Sequence, residues 1–259
     1  MHDSHNQLTA EPAQICFFRD QLRSARAVAL ADAEGFHAVL RVVELIAQQL
    51  GKNIRGLGDY KTVLSGLSSA SPLATDLPSQ WPAYHTEFGV LFDEMRQARN
   101  DAVHQGAYAR TLTDHAVELS IILEDALMTD ASKVSQFMVR DVVDAKPWHP
   151  VSYIRQQMLT HAFSYLPIWD ADAWKLIPEY AVARLLRNAS SAVARRRRLA
   201  ALVSDSIADG SLELLNARTV SPKMPITEAL QFICERPVLV VDRMHADVPV
   251  GLLTSSDIL

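Results

Sequence analysis

The sequence predicts an α+β multidomain protein, with an all-α helical bundle over residues 1–132 and a tandem pair of β-α-β-β-α units over residues 133–259. Three observations carry this expectation. Apolar residues recur at helical spacing with no strand-like run before residue 130, and short β-like runs alternate with helical ones after it. Charge divides at the same place: residues 1–130 hold 10 basic and 17 acidic side chains, and residues 131–259 hold 15 and 13. The second part also repeats itself, element for element.

In the first part, Phe36, Val39, Leu40, Val43, Leu45, Ile46 and Leu50 form one helical face, and Gly51 follows as a C-cap. Asp59 is placed to cap a short helix through Leu67, and the Ser/Pro-rich stretch from Ser68 to Pro82 predicts a loop. A long helix is expected from about Tyr84 to His104, stopping at Gln105-Gly106. Thr113 then reads as the N-cap of a last helix through Leu127, carrying Val117, Leu119, Ile121, Ile122 and Leu123.

In the second part, Val220 precedes Ser221-Pro222, and a helix of about ten residues is expected from Ile226 to Cys234. A strand over Pro237 to Asp242, a turn near His245 to Asp247, and a strand over Val250 to Leu253 follow, and Thr254 to Asp257 opens a further helix. The earlier copy aligns Val142-Val143 with Val220, Val151 to Thr160 with the Ile226 helix, Tyr165 to Trp169 with the first hairpin strand, and Trp174 to Ile177 with the second. These boundaries give a first unit over about 133–187, a connector over 188–211 and a second unit over about 212–259.

Composition narrows the function classes. The 259-residue chain is 49% hydrophobic with a net charge of -5, enough apolar surface for a folded core and too little charge density for a disordered chain. No apolar run approaches the roughly 20 residues of a membrane span, and the N-terminus lacks the basic start and apolar core of a secretory signal. Cys16 and Cys234 lie far apart and form no CxxC pair, which points to a reducing, cytoplasmic setting. Mild acidity argues against bulk binding of nucleic acid or anionic membrane while leaving a local site open. The nine histidines include no HxH or HExxH pair, so no metal is expected.

The stretch Gly251-Leu-Leu-Thr254-Ser-Ser-Asp257-Ile-Leu carries the most specific resemblance. It is similar to the close of a CBS domain, a glycine and a hydrophobic strand before Thr-x-x-Asp, and residues 133–259 resemble a tandem CBS pair, or Bateman module. The resemblance implies a regulatory adenosine nucleotide (AMP, ADP, ATP or S-adenosylmethionine). Thr254 and Asp257 would hold ribose and phosphate, and the backbone near Pro237, Val238 and Leu239 would seat the adenine. Thr219 completes the implied ligand set. A helix N-terminus offers unpaired N–H groups to phosphate, and a carboxylate accepts from ribose hydroxyls. The same two side chains also read as an ordinary capping pair. In the first unit Lys175, Pro178 and Ala181 replace Gly251, Thr254 and Asp257, so one site is expected rather than two.

The stretch Arg96-Gln-Ala-Arg99-Asn100-Asp101-Ala-Val-His104-Gln-Gly106 resembles the Arg-Asn-x-x-x-His signature of HEPN domains, helical bundles that include metal-independent ribonucleases. The resemblance implies that Arg99, Asn100 and His104 are catalytic in a cleft shared by two protomers. His104 would move the proton of a ribose 2′-hydroxyl or of the leaving oxygen, Arg99 would neutralise the phosphate, and Asn100 would position it. Arg99 and His104 are about one and a half helical turns apart, so a regular helix would not stack them on one stripe. A surface ion pair of Arg99 with Asp93, Glu94 or Asp101 is the competing reading, and the acidic balance of this part disfavours a general RNA surface.

The whole chain then reads as a cytoplasmic homodimer that senses an adenosine nucleotide and acts through its helical part. Its action would be as a ribonuclease on RNA, or, without catalysis, on an unidentified protein partner. The basic run Arg195 to Arg198 reads first as a solvated helix face, and the aromatics near Trp148, Trp169 and Trp174 as packing.

Overall fold

The computed structural model describes residues 11–32, 35–51, 57–100, 106–233 and 236–259, with the backbone alone for residues 57, 99, 100 and 106–109. The chain divides into two units, Met1–Ala131 and Ser132–Leu259.

Every regular element among the described residues of the first unit is a helix: α1 (Pro12–Ala31), α2 (Phe36–Leu50), α3 (Leu57–Ser68), α4 (Asp76–Gln80), α5 (Phe88–Asn100) and α6 (Gly106–Met128). Pro12 opens α1, where its fixed φ suits the first turn and its missing N–H is no loss. Phe18, Leu22, Leu40, Ile46, Leu64, Leu91, Leu119 and Leu123 meet in one core drawn from α1, α2, α3, α5 and α6. Charge is built into this bundle as well. Arg19 is only 1% exposed, and its Nε and Nη2 donate to Asp20 Oδ1 at 2.9 and 2.6 Å. One and two turns on, Arg23 and Arg26 both pair with Glu124 of α6.

Gly51 is the C-cap of α2 as expected, in an extended rather than left-handed conformation (φ -92), its N–H bonding the Ala47 carbonyl. Three local expectations change. Short α4 sits inside the stretch expected to be a loop, because Ser71 pins it. Its hydroxyl donates to Asp125 Oδ2 at 2.6 Å and accepts from the Leu73 N–H at 3.1 Å. Helix α5 begins at Phe88 rather than Tyr84: the Tyr84 and His85 N–H groups close a turn onto the Trp81 carbonyl, and Glu118 Oε1 caps the Thr86 N–H at 2.7 Å. Helix α6 begins at Gly106, leaving Thr113 buried in its interior. Leu112, Ala116, Leu119 and Leu123 continue one buried stripe past it, and burial overrides the local capping signal.

The second unit runs α7 (Val134–Phe137), α8 (Val151–His161), β1 (Tyr165–Asp170), β2 (Ala173–Pro178), α9 (Glu179–Arg187), α10 (Ala192–Ala200), α11 (Val203–Ala208), β3 (Leu215–Asn216), β4 (Arg218–Val220), α12 (Ile226–Ala229), β5 (Val238–Asp242) and β6 (His245–Leu253), then a 3-10 turn at Ser255–Asp257. The expected helix from Ile226 to Cys234 shortens to α12 and continues as i→i+3 turns, Phe232 N to Ala229 O and Ile233 N to Leu230 O; Cys234 itself lies outside the described residues. The β1–β2 hairpin turns on Ala171-Asp172, both left-handed (φ 48 and 58), the pairing that matches strand twist. The β5–β6 hairpin turns earlier than expected, at Arg243-Met244, where the Met244 N–H donates to Asp242 Oδ1 at 3.1 Å; the residues His245 to Asp247 belong to β6. Gly210 (φ 73) closes α11. Beside it, hydrogen bonds from the Ser211 hydroxyl and N–H hold the Asp209 carboxyl below its ordinary pKa.

Two three-stranded sheets result, β1-β2-β3 and β4-β5-β6. Each copy begins with a parallel pairing onto its first hairpin strand: Ala145 on Ile168, and Val220 on Val240. In the hairpins, Ile168 faces Lys175 and Val240 faces Gly251, so strand register equates Lys175 with Gly251. The copies also exchange edges. Leu215 of β3 pairs with Leu176 of the first hairpin, and Val139 pairs with Leu252 of the second, through N–H···O bonds of 2.8 and 2.9 Å in both directions. No helix among the described residues is long and apolar enough to cross a membrane.

Candidate functional site

The edge exchange brings residues from distant parts of the chain around one cleft of about 470 Å³ in the second unit. One wall is the segment Val139 to Val143, carried there by the Val139–Leu252 pairing. A second is the approach to β1, from Ala162 to Tyr165 together with Pro167. The third comprises Arg236 and Pro237 ahead of β5 and Thr254 to Asp257 beyond β6. The Val139–Leu252 pairing joins the first wall to the third, and the Ala145 N–H, donating to the Pro167 carbonyl at 2.7 Å, joins the same segment to the second.

The polar wall is organised around one carboxylate. Asp257, 7% exposed, accepts at Oδ2 from the Thr254 N–H at 2.7 Å and from the Thr254 hydroxyl at 2.8 Å. The Thr254 hydroxyl has one proton and spends it on Asp257, so the 2.7 Å contact with Ser256 runs from the Ser256 hydroxyl to Thr254 Oγ1. Ser255, Ser256 and Arg236 are exposed at this wall, and Arg236 is its one cation among the described residues. The wall can therefore accept from hydroxyls and donate to an anion. Val139, Val142, Val143, Phe163, Pro167 and Ile233 supply an apolar lining for a flat ring.

Two lining residues hold left-handed backbones without being glycine: Asp141 (φ 57) and Ala162 (φ 53), the latter ending α8. Each such residue costs about 1–2 kcal/mol, and that strain concentrates at binding sites.

Of the residues expected from the sequence, Thr254 and Asp257 line the cleft, as does Pro237. Val238 and Leu239, expected there through their backbone, have completely buried side chains in β5 and are not among the lining residues. Thr219 is exposed on β4, paired with Leu239 in the ladder, and is not among the lining residues. In the first copy, Lys175 donates to Asn216 Oδ1 at 2.6 Å, Pro178 is the N-cap of α9, and Ala181 is buried in the core. None of these offers the hydroxyl and carboxylate found at Thr254 and Asp257. Arg99 and Asn100 are the last residues of α5, their side chains outside the described set, and His104 lies outside the described residues altogether. Sequence reasoning missed Asp141, Phe163, Tyr165 and Arg236. The first three are brought in by long-range pairing, and only the basic residue just before a strand offered a local signal.

The chain matches no protein-family model and no curated protein. Among solved structures it is similar, over 49% of its length, to a putative acetoin utilization protein from Vibrio cholerae (19% identity, 86% of that chain, TM-score 0.37). It is similar over the same share to CBSX2 in complex with AMP (17% identity, 92% of that chain, TM-score 0.36). A CBS-domain protein from Agrobacterium tumefaciens gives 16% identity over 91% of its length, with a TM-score of 0.36.

One contact underlies the cleft and is testable. A Cβ on Gly251 would lie 2.5 Å from Met138 Sδ, 2.8 Å from its Cγ and 3.1 Å from its Cβ, so glycine is what lets the first copy's leading segment approach β6. Gly251→Ala is expected to lower unfolding free energy by about 1–3 kcal/mol through overpacking. Met138→Ala in the same chain should recover part of the loss. Urea denaturation of the double-mutant cycle checks this: a coupling above about 0.5 kcal/mol is expected, and additive effects would contradict the contact.

Proposed function

We propose that residues 132–259 are a CBS pair that binds one adenosine nucleotide in this cleft, as the sensing half of a cytoplasmic, homodimeric regulatory protein. The observation that carries the reading is the Thr254–Asp257 turn. It sets hydroxyls and a buried carboxylate beside Arg236 in a cavity within the roughly 300–1,000 Å³ range of small-molecule sites. Ribose hydroxyls would donate to Asp257, phosphate oxygens would accept from Ser255, Ser256 and Arg236, and the adenine would lie against the apolar lining. Substitution of the equivalent positions by Lys175, Pro178 and Ala181 supports one nucleotide per chain.

Calorimetry with AMP, ADP, ATP and S-adenosylmethionine tests this. One site is expected, and Arg236→Ala, at an exposed residue, should weaken the phosphorylated ligands tenfold or more while leaving S-adenosylmethionine least affected. Asp257→Asn keeps an acceptor for the Thr254 bonds and should still weaken all four. No heat with any ligand, or heat unchanged in both variants, contradicts the site.

The helical unit is then the output, which we read as HEPN-like. In its sharper form it is a metal-independent endoribonuclease: His104 takes the 2′-hydroxyl proton, Arg99 neutralises the phosphate and Asn100 positions it. The sequence motif Arg99-Asn100-x-x-x-His104 is what supports this form. Purified protein should cleave single-stranded RNA, and His104→Ala should lower the rate at least a hundredfold. Equal cleavage by the variant removes catalysis and leaves a non-enzymatic sensor acting on a protein partner.

A further inference from the structure

Helices α8, α9 and α10 pack on one another beside the first sheet. Their 29 residues contain seven arginines (Arg155, Arg184, Arg187 and Arg195 to Arg198), no lysine and a single acidic residue, Glu179. This is nearly half of the 15 basic residues of the chain after residue 130, gathered on one helical layer.

Structure separates the anchored arginines from the rest. Arg184 pairs with Glu213 at 2.8 Å and lies 5.5 Å over the Tyr180 ring. Arg198 folds back to donate to the Leu185 carbonyl, tying α10 to α9, with Asp209 nearby. Arg155, Arg187, Arg195, Arg196 and Arg197 are exposed, and among the described residues none of them meets a carboxylate. No side chain of α10 is fully buried; half-buried Leu199 packs against the core, and Arg195, Arg196 and Arg197 are left exposed.

The geometry discriminates between anions. Successive helical positions differ by about 100°, so Arg195, Arg196 and Arg197 fan over about 200° of the α10 surface. One compact phosphate cannot reach all three. A folded acidic protein would have to desolvate five unpaired guanidinium groups to reach the scattered apolar groups between them. A flexible phosphodiester strand can follow the fan, and guanidinium forks suit its oxygens. Trp148, 66% exposed just ahead of α8, adds a flat surface on which a base can stack.

We propose that the α8–α10 arginine face binds the phosphate backbone of single-stranded nucleic acid, without sequence preference. The proposal needs neither the nucleotide cleft nor catalysis by His104, so it stands or falls apart from them.

Anisotropy of a labelled 20-nucleotide single-stranded RNA, titrated with the full chain between 25 and 200 mM KCl, tests it. Neutralising at least three phosphates gives a slope of log Kobs against log[KCl] of about -2 or steeper. Arg195→Gln with Arg196→Gln and Arg197→Gln should flatten that slope by about 2 and weaken low-salt binding at least tenfold. The corresponding triple lysine variant, which keeps the charge, should hold the slope and lose affinity only. Absence of RNA binding at 25 mM KCl would overturn the proposal. So would a slope unchanged in the glutamine variant, or a loss no greater than that from exposed Arg41→Gln with Arg243→Gln outside the face. Displacement of the RNA by poly-L-glutamate at equal charge would assign the face to an acidic protein chain instead.

Discussion

The second unit depends on an exchange of sheet edges. A β-α-β-β unit leaves one hairpin strand with an unpaired row of N–H and C=O groups, and such an edge must be covered or paired. Here each copy covers the other: Val139 bonds in both directions with Leu252, and Leu215 with Asn216 pairs onto Leu176 and Lys175. Trp174 of the first hairpin adds a third tie, its Nε1–H donating to the Ala246 carbonyl at 2.7 Å. Neither copy completes its sheet alone. The cleft lies where the exchanged segment Val139 to Val143 passes the Thr254–Asp257 turn, so the same bonds that close the fold build the site.

The helical unit solves a different problem. Its core is ordinary aliphatic packing, yet α1 directs Arg19 into it and Arg23 and Arg26 onto Glu124, whose side chain is only 12% exposed. Buried ion pairs add little net stability over an apolar core, but removing one partner leaves a charge without compensation. Arg23 and Arg26, from successive turns of α1, both meet the two oxygens of Glu124 and so tie α1 to α6.

Much of this was legible in the sequence, for identifiable reasons. Helix α2 carries an uninterrupted apolar stripe, and its limits agree with the periodicity from Phe36 to Leu50. The hairpin strands were visible as short apolar runs bounded by turn residues, and the Thr254-x-x-Asp257 spacing located half of the cleft. Helix α1 was obscure because Arg19 interrupts its apolar stripe with a buried charge, paired with the adjacent Asp20. Thr113 misled because a local capping signal cannot report that Leu112 and Ala116 on either side are buried. Asp141 and Ala162 were invisible as site residues, since a left-handed backbone is ordinarily announced by glycine. Pro237 lines the cleft, and Val238 and Leu239, expected beside it through their backbone, have fully buried side chains. Period-two alternation fails in a strand covered on both faces, as β5 is.

The central claim is that one ligand site is built jointly by both copies of the repeat. Hydrogen–deuterium exchange of the full chain, with and without saturating ATP or AMP, tests it most directly. The account predicts that amides of Val139 to Val143 and of Leu252 to Asp257 slow together on ligand addition, although more than a hundred residues separate them. Slowing confined to one of these segments, or absent from both, would contradict it.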